Sequence, residues 1–165
     1  ITNLKMNNIY LKMVSIRIAS PKDLNCLIKI FTLNIPKYFH EKELIDFKKY
    51  FNSKNIENYF VIISKGKILG AASYAHENKE TANICWVFVD PSYHKNGLGT
   101  KLINHCVNIL KANEKLNTIQ LECSNITYKF YEKLDFKIKY IKKEYWLNKD
   151  DLYFMIMDLM DYSKQ

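Results

Sequence analysis

Two of the four glycines in this 165-residue chain, Gly97 and Gly99, stand within three residues of each other. They follow the apolar run 84–89 and precede a long helical pattern, so residues 93–100 predict a tight loop between a strand and a helix. The first turn of a helix carries unpaired N–H groups and a partial positive charge. A glycine loop that opens a helix is therefore suited to bind a phosphate or a diphosphate, because the backbone can approach it closely.

Hydrophobic periodicity predicts the elements that position this loop. Short apolar runs bounded by turn residues predict strands at 16–18, 59–64, 68–75, 83–89, 118–121, 136–141 and 151–159. Apolar residues at helical spacing predict helices at 21–33, 41–51, 98–110 and 126–134. A strand, a long helix and a further strand around the loop imply a parallel pair of strands. We therefore expect an α/β fold in which the loop connects a central strand to the longest helix.

The length and composition fit one domain. We expect it to cover residues 15–165, preceded by an N-terminal extension of residues 1–14 that shows no clear period. No run approaches the roughly 18 apolar residues of a membrane span, and the start lacks the apolar stretch of a signal peptide. These features predict a cytoplasmic protein without membrane association. Four scattered cysteines with no Cys-x-x-Cys pair predict neither a disulfide framework nor a metal site.

The net charge of +8 raises the question of a nucleic-acid partner. Of the 25 basic residues, however, Arg17 is the single arginine. Arginine is the residue best suited to bidentate recognition of phosphates and bases. The composition therefore disfavours nucleic-acid binding and favours a solvated surface that mildly attracts an anionic cofactor.

Two segments of the chain carry a family resemblance. Val-Phe-Val-Asp-Pro at 87–91 is followed by His-Lys-Asn-Gly-Leu-Gly at 94–99, and Ser-x-x-Thr-x-x-Phe-Tyr-Glu-Lys-Leu-Asp-Phe stands at 124–136. These segments resemble the pyrophosphate loop and the Asn-x-x-Ala-x-x-Phe-Tyr-Glu-Lys-x-Gly-Phe segment of the GNAT-type N-acetyltransferases, which use acetyl-CoA. The resemblance implies a GNAT fold over residues 15–160. That fold has a mixed central sheet of six to seven strands with a splayed β4/β5 pair, flanked by about four helices.

The resemblance also assigns residues to acetyl-CoA. They are Val87, Phe88, Val89, His94, Lys95, Asn96, Gly97, Leu98, Gly99, Thr100, Ser124, Thr127 and Tyr131. The pantetheine arm is expected to pair with the end of the strand at 87–89, where it splays from the strand at 118–121. The chain departs from the family's usual residues at His94, Lys95, Asn96, Ser124 and Asp135. None of these changes removes a backbone donor, so we expect main-chain N–H groups to bind the diphosphate. Asp135 replaces a glycine that often has a positive φ, which Asp tolerates better than most residues.

The acetyl transfer implied by the resemblance needs an acid and a base. Tyr131 matches the family's general acid, and a phenol with a pKa near 10 can protonate a departing thiolate. Its alternative role is that of a core aromatic. For the base that accepts the amine's proton, Glu122 is the first candidate, His40 the second and a water chain the third. Glu122 fits equally well as a structural carboxylate.

The acceptor pocket in such folds is built by the first two helices and the late hairpin. Here these elements supply Tyr38, Phe39, His40, Glu43, Trp86, Tyr145, Trp146, Asp150 and Asp151. The acids and aromatics after residue 143 could bind a cationic amine, or they could form a capped loop before the final strand. The expected function is N-acetylation of a small-molecule or peptide amine, and a homodimer remains open. The alternatives are a catalytically weak acyl-CoA-binding module and a toxin-like enzyme that acetylates aminoacyl-tRNA.

Overall fold

The computed structural model describes residues 13–146 and 149–160. Their strands are β1 (Val14–Ile18), β2 (Tyr59–Ser64), β3 (Lys67–His76), β4 (Thr81–Val89), β5 (Thr118–Ser124), β6 (Lys137–Lys142) and β7 (Leu152–Asp158). The α-helices are α1 (Leu24–Leu33), α2 (Glu41–Phe51), α3 (Leu98–Lys111) and α4 (Tyr128–Glu132). Within this described part, the seven strands form one mixed sheet in the order β1-β2-β3-β4-β5-β7-β6. The predicted α/β class is confirmed.

Most predicted elements lie where the periodicity places them. The bounds of α2 and β2 are the predicted ones, and α1 ends before Asn34 as expected. β1 begins at Val14, one residue inside the predicted extension, whose residues 1–12 lie outside the described ones. In α2 the buried face is set by Phe47 and Phe51 at a spacing of four residues, and Ile45 is 57% exposed.

Two elements near residue 125 differ from the prediction. β5 extends to Ser124, three residues beyond its expected end, and α4 has five residues instead of the nine expected from residue 126. A turn occupies the intervening residues: the Thr127 N–H donates to the Ser124 carbonyl at 3.0 Å, and the Ile126 N–H donates to Ser124 Oγ at 3.3 Å. This local hydrogen bonding to a serine side chain competes with helix formation.

The parallel pairing of β4 with β5 is short. It covers three residue pairs, from Thr81 opposite Thr118 to Asn83 opposite Gln120. The Gln120 amide also donates to Asn83 Oδ1 at 2.8 Å and to a Glu77 carboxylate oxygen. Both strands continue beyond the last pair, β4 to Val89 and β5 to Ser124. The parallel arrangement was predicted, and its early end agrees with the expected splay.

The described chain divides into two compact units. The first contains the residues up to Ser73 together with Trp86–Asn104, and the second contains Tyr74–Cys85 together with the residues from His105 onward. Aromatic packing dominates the first unit. Phe31 stacks on Phe47 with ring centroids 5.1 Å apart, and both rings contact Phe88 edge to face at 5.4 Å. These rings fix α1 and α2 against β4.

In the second unit, α4 ends in a Schellman motif. The Phe136 N–H donates to the Tyr131 carbonyl at 3.2 Å, and the Asp135 N–H donates to the Glu132 carbonyl at 3.2 Å. Asp135 has a φ of 67°, the left-handed conformation that this motif requires. The positive φ predicted for Asp135 is therefore confirmed. The Phe136 ring packs on Tyr131, with centroids 6.1 Å apart.

Replacing Asp135 with glycine is expected to stabilise the protein by about 1 kcal/mol, since the left-handed conformation costs an L residue about 1–2 kcal/mol and glycine almost nothing. Asp135 is exposed, so little packing is lost. The free energy of unfolding in urea would measure the gain. Asp135→Ala is the matched control, because it removes the same carboxylate but keeps the Cβ. A gain of equal size in both variants would place the effect in the charge instead of the backbone.

Candidate functional site

The glycine loop lies in the first unit between β4 and α3. A short 3-10 turn at Pro91–Tyr93 precedes it, and the buried Asp90 side chain caps this turn by accepting the Ser92 N–H at 3.0 Å. Lys67 Nζ lies 3.5 Å from Asp90 Oδ2 and 4.9 Å from the centre of the Tyr93 ring. The buried Asp90 carboxylate and its partner Lys67 thus hold the turn that leads into the glycine loop.

The side chain of His94 points back to the protein. Its Nε2 lies 2.9 Å from the Val89 carbonyl, an acceptor, so this nitrogen carries the proton. The Asn34 amide donates to the same carbonyl at 3.0 Å and to the Ile30 carbonyl at 2.9 Å. The Val89 carbonyl therefore has two side-chain donors already.

The next residues form the cradle itself. Lys95 and Gly97 both have positive φ values, 61° and 75°. Asn96 is also turned inward, since its amide donates to the carbonyls of Tyr93 and His94 at 3.1 and 3.0 Å. A Cβ added to Gly97 would meet no atom within 4 Å, so the glycine faces open space.

The open space beside Gly97 leaves room for a ligand at the N-terminus of α3. Leu98 is buried and holds the first turn of α3 in the core, whereas Gly99 and Thr100 are half-buried. The N–H groups of this first turn have no partner within the helix. The Asn96 amide is bound within the loop and the His94 ring is bound to β4, so these N–H groups and the exposed Lys95 can serve as donors to an anion. This arrangement fits a diphosphate that is bound mainly by main-chain groups.

Trp86, three residues before the end of β4, has a strained backbone. Its φ is 50°, an uncommon value for a bulky side chain. The fully buried Tyr59 donates from its hydroxyl to the Trp86 carbonyl at 3.3 Å. The Trp86 ring packs on Phe31 and Phe47 at 6.1 and 5.8 Å. Strained backbone held by its surroundings is typical of functional sites.

The segment between α1 and α2 covers this end of β4. Tyr38 contacts the His94 ring edge to face at 5.4 Å, and Phe39 packs on Phe31 at 4.4 Å. Glu43, in the first turn of α2, accepts the His40 N–H at 2.6 Å through Oε2. The first unit thus brings together the acceptor residues that the sequence predicts between 38 and 43 and the strand that leads into the glycine loop.

Tyr131 is the central predicted residue of the second unit. Its side chain is about nine-tenths buried, between the rings of Phe130 and Phe136 at 5.0 and 6.1 Å. Burial raises the pKa of its phenol far above the ordinary value, and the neighbouring Cys123 and Cys85 raise it further. The hydroxyl therefore stays protonated through neutral and mildly alkaline pH, which is the state that a general acid needs.

Three other predicted residues of the second unit, Ser124, Thr127 and Glu122, lie in the turn before α4 and on β5. Ser124 and Thr127 form the turn before α4, and Thr127 Oγ1 donates to the Ser124 carbonyl at 3.4 Å. Glu122 is exposed on β5, opposite Phe154 of β7. Burial raises the pKa of Cys123 to about 12, so this thiol is not ionised at neutral pH.

The loop before β7 contains the other half of the predicted acceptor residues. Asp151 accepts from Lys143 Nζ at 2.7 Å and from the Glu144 N–H at 3.1 Å. The Trp146 N–H donates to the Asp150 carbonyl at 3.0 Å. These contacts support the alternative of a capped loop, because they use the Asp151 carboxylate within the loop itself.

Sequence patterns missed Asn34 and Lys67. The buried amide of Asn34 reaches the Val89 carbonyl across 55 positions of sequence. Lys67 pairs with Asp90, which also lies in a different part of the chain. Local spacing carries no signal for such pairs.

Within the described ranges, no group of three His, Cys, Asp or Glu side chains could hold a metal ion, and no helix has the length and apolar character to cross a membrane.

Residues 24–136 match the Acetyltransferase (GNAT) family. The ribosomal-protein-S18-alanine N-acetyltransferase of Escherichia coli has a similar structure, with a TM-score of 0.75 and 22% identity over 89% of this chain and 94% of that chain. Ard1 of Thermoplasma volcanium has a TM-score of 0.73 and 20% identity over 88% of this chain and 97% of that chain. The structure of a Salmonella typhimurium protein with its cofactor acetyl-CoA has a TM-score of 0.73 and 16% identity over 89% of this chain and 94% of that chain. A comparison with curated protein sequences gives no match.

Proposed function

The chain belongs to the GNAT acetyltransferase family, and we propose that it transfers the acetyl group of acetyl-CoA to a primary amine of a small molecule or a peptide. The observation that carries this proposal is the open space beside Gly97, in a loop that leads into the N-terminus of α3. Solved relatives include structures with acetyl-CoA and with coenzyme A. Acetyl-CoA supplies the acetyl group as a thioester, and an unprotonated amine attacks its carbonyl carbon.

The proposed role of the glycine loop is to bind the diphosphate of acetyl-CoA. The N–H groups of the first turn of α3 and the exposed Lys95 supply positive charge there. The last three residues of β4, Val87, Phe88 and Val89, are proposed to offer backbone groups to the pantetheine arm. A backbone N–H near the strained Trp86 would also stabilise the oxyanion of the tetrahedral intermediate, and a donor of this kind is worth about 3–4 kcal/mol of barrier.

The proposed general acid is Tyr131, whose phenol protonates the CoA thiolate as it leaves. Its place in the segment that resembles the family's supports this assignment, and burial, which raises its pKa, keeps the phenol protonated throughout the physiological range. The exposed Glu122 remains the first candidate for the base that accepts the amine's proton, followed by His40 and a water chain. Ser124 and Thr127 are proposed to border the thioester end of the cofactor.

One experiment separates this function from its two alternatives. The protein is incubated with acetyl-CoA, a panel of small amines and peptides, and a thiol reagent that reports free CoA. Amine-dependent thiol release supports the acetyltransferase. Binding of acetyl-CoA without release with any amine would instead indicate an acyl-CoA-binding module. The third function, acetylation of aminoacyl-tRNA, requires RNA binding that weakens steeply with salt, so its absence at low salt removes that function.

A further inference from the structure

The carboxylates of this protein differ in whether a cation neutralises them. Three that are shielded from solvent have one each: Asp23 is paired with Arg17, Asp90 with Lys67 and Asp151 with Lys143. Glu43 is half-buried in the first turn of α2, yet no lysine or arginine of the described residues lies within ion-pair distance of it. Removing a charged carboxylate from water costs free energy, and at Glu43 no cation offsets this cost.

The surroundings of Glu43 contain few other charges. Burial raises the pKa of its carboxyl group, and the N–H of His40 opposes this rise by donating to Oε2. The His40 imidazole lowers the pKa slightly through its charge, and the Asp46 carboxylate raises it. One oxygen is therefore used for the helix cap, while the group as a whole lies in a poorly hydrated position.

Glu43 also lies beside an aromatic surface. It is one helical turn before Phe47, so the two side chains share a face of α2. Phe47 is fully buried and packs on Trp86, and Phe31 packs on both Trp86 and Phe39. Trp86 and Phe39 themselves are half-buried and pack on these buried rings. The Glu43 carboxylate accepts the N–H of the residue that follows Phe39, so it lies near one end of this set of rings.

We propose that Glu43 binds the ammonium group of the acceptor, with Phe39 and Trp86 in contact with the carbon chain that carries it. This inference rests on the proposed function and names the acceptor class: a primary amine on an apolar or aromatic chain. The ammonium provides the cation that Glu43 lacks, and the rings add cation–π attraction. A second anionic group next to the amine weakens binding, because it faces the Glu43 carboxylate.

A purely structural role for Glu43 as a helix cap makes a different prediction. Glutamine at the same position of a capping box also accepts the N-cap N–H, so Glu43→Gln keeps the cap while it removes the charge. Glu41→Gln is the matched control. Glu41 lies in the same first turn but is exposed, so this variant makes the same change in net charge and in the interaction with the helix dipole.

The test measures binding of 2-phenylethylamine and of phenylalanine by calorimetry, with the protein saturated with CoA, which holds no acetyl group to transfer. Phenylalanine carries the same ring and amine with a carboxylate beside the amine. We expect the wild type to bind 2-phenylethylamine more tightly than phenylalanine. Glu43→Gln should weaken binding of 2-phenylethylamine roughly 10- to 100-fold, as expected for a hydrogen bond to a charged group, and should reduce the preference over phenylalanine. Glu41→Gln should bind like the wild type, and the melting temperatures of all three proteins should agree.

Three results would overturn the inference: no binding of 2-phenylethylamine to the wild type, unchanged binding in Glu43→Gln, or an equal loss in Glu41→Gln. Thiol release from acetyl-CoA, measured on the same samples, tests the proposed function separately. If the wild type binds the amine in a Glu43-dependent way but releases no thiol, the ammonium site stands and the acetyltransferase proposal fails.

Discussion

Replacing Tyr131 with phenylalanine is expected to lower turnover roughly ten- to a thousand-fold, which overlaps the roughly 10²- to 10⁴-fold that general acid catalysis supplies, while the affinity for acetyl-CoA stays nearly unchanged. The CoA thiolate needs a proton as it leaves, and the phenol is the proposed donor. A phenylalanine ring fits the space between Phe130 and Phe136, because the substitution removes one oxygen and adds no atom. The fold should therefore be retained, and the loss should be specific to the chemical step.

The same helix provides the control for this variant. Tyr128 lies one turn earlier in α4 and stacks on Tyr153, with ring centroids 4.3 Å apart. Tyr128→Phe removes a phenol from the same element and leaves the stacking surface in place, so it should turn over like the wild type. Initial rates of thiol release and the Kd of acetyl-CoA measure both variants. Wild-type turnover in Tyr131→Phe would remove Tyr131 as the acid and leave it the core aromatic of the alternative interpretation.

The pKa of Tyr131 adds a pH dependence to this prediction. Burial raises it, followed by the influence of Cys123 and Cys85, so the phenol ionises above the ordinary tyrosine pKa of about 10. Turnover should therefore not fall between pH 7 and 10 through loss of this acid. A fall in that interval that is absent from Tyr131→Phe would contradict the elevated pKa, since the phenol would then be titrating earlier than its burial allows.

How far the sequence predicts the fold depends on the range of the interactions involved. α2 and β2 have their predicted bounds because their periodicity and their turn residues are local signals. The left-handed conformation of Asp135 could be predicted because the family segment that this chain resembles has a glycine at this position. α4 is shorter than predicted because a serine side chain, Ser124, binds the backbone that would have formed its first turn. Apolar periodicity does not register that competition.

The candidate site shows the same division. The glycine loop and Tyr131 follow from motifs, whereas the use of the Val89 carbonyl by Asn34 and His94 does not. Those contacts depend on how α1 packs against β4, which local spacing cannot specify. They bear on His94, which the resemblance assigns to the cofactor. In the structure its ring is bound to the Val89 carbonyl at the end of β4, and we propose that the backbone of the loop binds the anion.

Gly97→Val is expected to weaken acetyl-CoA binding by roughly 100-fold or more, since the loss of even two hydrogen bonds to a charged group costs about 1.5–3 kcal/mol each. A Cβ at position 97 meets no protein atom within 4 Å, and the valine side chain is expected to enter the volume proposed for the diphosphate. Valine also has to adopt the positive φ of 75° at this position. That conformation costs an L residue about 1–2 kcal/mol of stability, a loss that has to be separated from the loss of binding.

Gly66 makes this separation possible. It lies in the turn between β2 and β3, has a φ of 78°, and also has open space where a Cβ would stand. Gly66→Val therefore carries the same backbone strain at a place with no proposed role in binding. Both variants should lose similar free energy of unfolding in urea, and Gly97→Val alone should lose affinity for acetyl-CoA. Equal affinity in the two variants would make Gly97 a structural turn residue, and the diphosphate would then have to bind elsewhere than in the glycine loop.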